Sequence, residues 1–208
     1  MDYVYKRRWI LGITLALLLF IYFFKNFSAI VRVFGFLMCL IIFYSVDHLF
    51  DIKFKLHHYY LIMIILATGI LFSPLYFFYS SYDKILHFIS PILGSIVIFY
   101  VVNEKKLPMY WKLWITFLFI TSFLMFHEIG EYLMDKLWDM KLQGVYIRDI
   151  GGTEKLNLIQ SQIDDTMVDL IFGILGAITF IAGKTLTYLY KNKKQEKKLS
   201  KKKKLKRE

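Results

Sequence analysis

WKLWITFLFITSFLMFHEIGEYLMD, residues 111–135, begins as a membrane helix and ends in acids. Its first fifteen positions carry a single charge, Lys112. Such a run suits a hydrocarbon core about 30 Å thick rather than water. Then His127, Glu128, Glu131 and Asp135 arrive within nine positions. An ionisable group inside a membrane helix costs about 3 kcal/mol at the bilayer centre, so such groups face the bundle interior and mark function. The fold and the candidate site are therefore written in the same segment.

The rest of the chain repeats the apolar half of this pattern. Of 208 residues, 57 % are apolar and 21 % charged, with 20 Phe and 15 Tyr. Apolar stretches at 9–24, 29–46, 57–79, 84–102, 110–134 and 166–189 predict an all-α, polytopic bundle of about six transmembrane helices over residues 1–190. MDYVYKRRW precedes the first stretch without a small-residue cleavage site, so that helix is read as retained. No internal repeat stands out. Cys39, the single cysteine, lies in an apolar run and excludes an intrachain disulfide or a thiolate cluster.

Charge sets direction and partners. KNKKQEKKLSKKKKLKRE, residues 191–208, has ten Lys and one Arg against two Glu, so it holds nine of the eleven net positive charges. No aromatic residue is interleaved there, which argues against single-stranded nucleic acid. The segment is expected to be a disordered polybasic tail that attracts anionic lipid headgroups, at about 1 kcal/mol per Lys or Arg. Lys6, Arg7 and Arg8, then Lys105, Lys106 and Lys112, place both termini in the cytoplasm of a multi-pass cell-membrane protein, with Lys25 and Arg32 as exceptions. The connection 135–164 then lies outside. It contains GVYIRDIGG, whose Gly151–Gly152 pair reads as a tight turn, and it either folds over the bundle or remains a surface loop.

Three helices converge their ionisable groups at that outer end. Asp83 and His87 are four apart on the fourth helix, as are His127 and Glu131 on the fifth. Asp165, Asp169, Gly173, Gly176 and Gly183 form a stripe on the sixth, acids outward and glycines deeper, where small residues let helices approach. Asp83 and Asp164 also suit helix caps, and Asp135 suits an interfacial pair with Lys136 or a lipid headgroup. The metal candidates are Asp83, His87, Glu128, Glu131, Asp165 and Asp169, for Zn²⁺, Mn²⁺ or Mg²⁺. Glu128 and Glu131 are the catalytic candidates. His48, His57 and His58 with Asp47 and Asp51 form a weaker second group at the other end.

DKILHF, HEIGEYLMD and DDTMVDLIFGILGA together resemble the multi-pass family that includes the inner-membrane protein YjdF and, more distantly, VanZ-like proteins. Asp83, Lys84, His87 and Phe88 match the first motif, Glu128 and Glu131 the paired glutamates, and Asp165, Asp169 and Gly173 the third. His127 stands where the family often has Trp. The likeness covers about residues 57–185 and implies no settled activity. Its VanZ-like side, associated with glycopeptide resistance, hints at extracytoplasmic envelope substrates. The expected function is a metal-assisted hydrolase or transferase for a lipid or lipid-linked envelope molecule. A small proton- or ion-coupled transporter and a non-catalytic envelope or resistance protein are the alternatives.

Overall fold

The computed structural model describes residues 2–24, 27–138, 141–148 and 156–205; Lys25 and the Gly151–Gly152 pair lie outside them. Among the described residues six α-helices run in the order α1 (Tyr3–Phe24), α2 (Phe27–Leu49), α3 (Leu56–Leu66), α4 (Tyr82–Asn103), α5 (Met109–Trp138) and α6 (Gln162–Leu205). A two-stranded antiparallel hairpin, β1 (Val145–Arg148) and β2 (Leu156–Gln160), interrupts the expected all-α pattern between α5 and α6. Within the described residues, four helical segments are long and apolar enough to cross a membrane: Arg32–Leu49, Tyr82–Asn103, Met109–Leu137 and Gln162–Lys198. Their outward faces are apolar, as at Phe119, Phe123 and Ile171, all more than half exposed. An apolar perimeter of this kind is stable against lipid and costly against water.

The third apolar stretch is not one continuous span. α3 gives way to a π-helical turn, Ala67–Leu71, and a 3₁₀ turn, Ser73–Phe77. Pro74 keeps the helix from continuing through the second of these turns, because it has no N–H to bond the Ile70 carbonyl. The Ser73 hydroxyl donates to that carbonyl instead, at 2.9 Å, and the Tyr82 hydroxyl donates to the Thr68 carbonyl at 2.9 Å. The freed backbone is thus satisfied within the protein, as a membrane environment demands. The polybasic segment also differs from expectation: α6 continues unbroken to Leu205. Lysine is a good helix former, and extending an existing helix carries no nucleation cost.

α4 packs most extensively on α6 and is flanked by α5. Glycines permit the closeness. A β-carbon on Gly176 would run into the Phe88 backbone carbonyl, and one on Gly173 would come 2.6 Å from Leu124. Gly183 faces open space, so the stripe works only in its outer part. Gly176→Ala is therefore expected to lower the melting temperature in detergent, at a cost of about 1–3 kcal/mol of overpacking, while Gly183→Ala leaves it within error. Equal melting of the two variants would refute this account of the α4–α6 contact.

The end of the bundle away from the acid-rich motifs is held differently. Lys6 and Asp47 form a fully buried ion pair. Asp47 also accepts from the Tyr59 hydroxyl at 2.7 Å and from the Phe54 N–H at 3.0 Å, tying α1, α2 and α3 together. His58 accepts the Lys55 N–H through Nδ1 at 3.1 Å. The second histidine–acid group is thus built from partnered side chains, and no metal-holding set among the described residues includes it. Asp47→Asn strands the buried ammonium and is expected to cost about 3–5 kcal/mol. Adding Lys6→Met should restore much of that loss in a thermal melt; a double variant as unstable as the single one would contradict it.

Candidate metal centre and the pocket beside it

The N-terminal ends of α4 and α6 meet the C-terminal end of α5, because α5 runs antiparallel to both. This brings Asp83, Lys84 and His87 from α4, His127, Glu128 and Glu131 from α5, and Asp165 and Asp169 from α6 to one depth. His87, Glu128, Asp165 and Asp169 are all buried, between 1 % and 6 % exposed. The six residues marked in the sequence as ligands do come together, but they divide into two groups with different partners.

The first group is centred on His87. Its Nδ1 lies 3.6 Å from Glu128 Oε1, and its Nε2 lies 3.5 Å from Asp83 Oδ1. His127 Nδ1 is 4.0 Å from the same Glu128 oxygen and 3.7 Å from Glu131 Oε1. One ligand atom from each of His87, His127 and Glu128 falls within 4.8 Å of the others. Tetrahedral zinc with bonds near 2.0–2.1 Å places its ligand atoms about 3.3 Å apart, so a small inward movement would complete such a set. Among the described residues, His87 Nδ1 and both Glu128 oxygens have no hydrogen-bond partner. Buried polar atoms without partners cost about 1–3 kcal/mol each, more when charged, which an ion at their centre would offset. Asp83, at ion-pair distance from the far nitrogen of His87, stands where the carboxylate of a carboxylate–histidine–metal relay would stand.

Lys84 organises the second group. It contacts Asp165 directly and lies 3.7 Å from both Asp83 Oδ2 and Asp169 Oδ1. Asp165 has its other oxygen occupied by the Gly144 N–H, at 2.8 Å. Both of its oxygens are therefore taken within the protein. Gly144 reaches that position at φ +86°, a left-handed conformation that glycine adopts without strain, and a β-carbon there would crowd the Gln160 carbonyl at 3.2 Å.

Between α5 and α6 the described part of the connection folds over the site. The Leu142 and Gln143 N–H groups donate to the two oxygens of Asp135 at 2.7 and 2.8 Å. Asp135 is a staple for the connection rather than a partner of Lys136. Gln143 Nε2 donates to Thr166 Oγ1 at 2.9 Å, and β1 rests against Ser73–Phe77. At the start of α6, Ser161 and Asp164 cap one another: Ser161 Oγ donates to Asp164 at 2.6 Å and accepts its N–H at 3.2 Å.

Under this cover lies a cavity of about 360 Å³. Asp83, Glu131 and Asp165 line it together with residues that include Arg32, Lys141 and Tyr146. Glu131 thus borders both the cavity and the histidine group, whereas Glu128 is absent from the cavity wall. Of these groups, His127 was the least visible in the sequence. Its i,i+4 relation to Glu131 was the available signal, but its approach to His87, with ring centroids 5.4 Å apart, depends on how α5 is rotated against α4.

A family described as "Predicted membrane protein (DUF2238)" matches residues 7–191, and the chain belongs to it. This is the group of the YjdF-like membrane proteins that the three motifs resemble. The protein is membrane-embedded and multi-pass. No curated protein and no solved structure matches it.

Proposed function

We propose that this member of the family is a metal-dependent hydrolase or transferase acting on a phosphoester of a lipid or lipid-linked envelope molecule. His87, His127 and Glu128 hold one divalent ion, with Zn²⁺ favoured over Mn²⁺ or Mg²⁺ by the two imidazoles. A bound ion of this kind lowers the pKa of coordinated water and polarises a phosphoryl oxygen. Glu131 stands between that position and the cavity and takes the proton. Asp83 keeps the His87 ring in place. Arg32 and Lys141 on the cavity wall complement an anionic headgroup, and the volume lies within the usual 300–1,000 Å³ of small-molecule sites.

The single observation that carries this reading is the convergence of buried, unbonded ligand atoms at His87 and Glu128. Away from the site, Phe99, Leu113 and Phe180 pack together between α4, α5 and α6. In this reading α1 and the Leu56–Leu71 unit make the remaining crossings of a six-span protein. Both termini are cytoplasmic, the lysine-rich end of α6 contacts anionic headgroups, and the site faces the envelope side.

The direct test is elemental analysis of the full chain purified in detergent, before and after chelation. The expected result is one divalent ion per chain, with a melting temperature that falls on chelation and returns with Zn²⁺. No recovered metal, and melting unmoved by Zn²⁺, Mn²⁺ or Mg²⁺, would sink the proposal.

A further inference from the structure

The unusual member of the site is Lys84. An ammonium group three residues from His87 on the same helix repels any metal cation, so its place among candidate ligands needs a reason. It is buried to 13 % side-chain exposure and faces three carboxylates, Asp83, Asp165 and Asp169. Three converging carboxylates are the donor set of a hard divalent cation such as Mn²⁺, Mg²⁺ or Ca²⁺. Asp83, His87 and Asp169 by themselves bring ligand atoms within 4.8 Å of one another. Independently, Asp169 Oδ1 is fully enclosed, in a residue 1 % exposed, and accepts no hydrogen bond from the described residues; its contact with Lys84 is an ion pair at 3.7 Å.

We propose that Lys84 is a built-in second cation: its ammonium fills a three-carboxylate site that would otherwise take a hard divalent ion, and so keeps the centre mononuclear. The inference rests on the proposed metal centre in so far as it says that centre has one ion and no second. The arrangement has a structural consequence. Lys84 holds Asp165, and Asp165 holds Gly144 at the foot of the hairpin. A covalently attached cation keeps this cover anchored whether or not the exchangeable ion is present.

The site can be unmasked by removing the charge. Lys84→Gln removes the charge with a side chain one atom shorter and leaves three carboxylates without their cation. The full chain is loaded with Zn²⁺, desalted, and titrated with Mn²⁺, bound Mn²⁺ being read by electron paramagnetic resonance and zinc by elemental analysis. Wild type is expected to take up no Mn²⁺. Lys84→Gln should bind one Mn²⁺ per chain and melt at a higher temperature with Mn²⁺ than without it. Lys84→Gln combined with Asp169→Asn should lose both effects. If Lys84→Gln is recovered folded only when purified with Mn²⁺, and carries one ion, that rescue supports the proposal equally. A folded Lys84→Gln that ignores Mn²⁺, or one that Mn²⁺ fails to rescue, overturns it. Zinc content separates the two readings. Zinc in wild type without Mn²⁺ in the variant refutes only the role of Lys84. Mn²⁺ uptake by the variant, with no zinc in wild type, refutes the histidine centre and leaves the carboxylate site standing.

Discussion

Glu128→Gln is expected to strip the protein of its zinc and bring its melting temperature down to that of chelated wild type. Glu128 is 5 % exposed, and neither of its oxygens has a hydrogen-bond partner among the described residues. Glutamine preserves its volume, so the change isolates charge and ligand strength. Loss of an outer-shell partner already weakens metal binding about 10–100-fold, and loss of one of three ligands should exceed that. An ion present at 100 times its Kd stabilises the fold by about 2.7 kcal/mol, which is the stabilisation the variant forgoes. A centre without metal would also lose the contacts of Glu128 with His87 and His127, so a lower melting temperature alone does not decide. There, wild type itself would carry no zinc and its melting would ignore chelation. Metal content and the response of wild type to chelation therefore decide. Glu104→Gln, exposed in the turn after α4, is the control and should change neither.

How much of this was legible beforehand follows from the range of each interaction. Helix spacing placed Asp83 under His87 and His127 under Glu131, because i,i+4 contacts belong to one helix. Counting crossings then put the three acidic ends together without any knowledge of packing. What escaped depends on rotation between helices and on backbone far away in sequence. Nothing near Asp165 announces that Gly144, 21 positions earlier, will take one of its oxygens and Lys84 the other. Lys84 was visible as a motif residue, yet its role as counter-charge to three acids appears only when α4 meets α6. Pro74 was the missed local signal: it opens the 3₁₀ turn against which the hairpin rests. The Lys6–Asp47 pair was missed because the arginines beside Lys6 made that segment read as an orientation signal alone.

Glu131→Gln is expected to separate chemistry from metal binding, keeping the zinc while turnover falls about 10²–10⁴-fold, the usual contribution of a positioned general acid or base. Glu131 lines the cavity together with Asp83 and Asp165, and its Oε1 is 3.7 Å from His127 Nδ1. It is therefore placed to accept a proton from water held at the histidine group while facing whatever occupies the cavity. Glu128 faces only the histidines and has no such access. The probes are a polyprenyl diphosphate and a diacyl phosphatidate in mixed micelles, with released phosphate as the readout. Because glutamine retains the size of the side chain and Arg32 and Lys141 are untouched, KM should change little and the loss should appear in kcat. Zinc lost together with activity would make Glu131 a ligand instead of the proton acceptor. Turnover equal to wild type would remove it from the chemistry altogether and leave the cavity wall without a base.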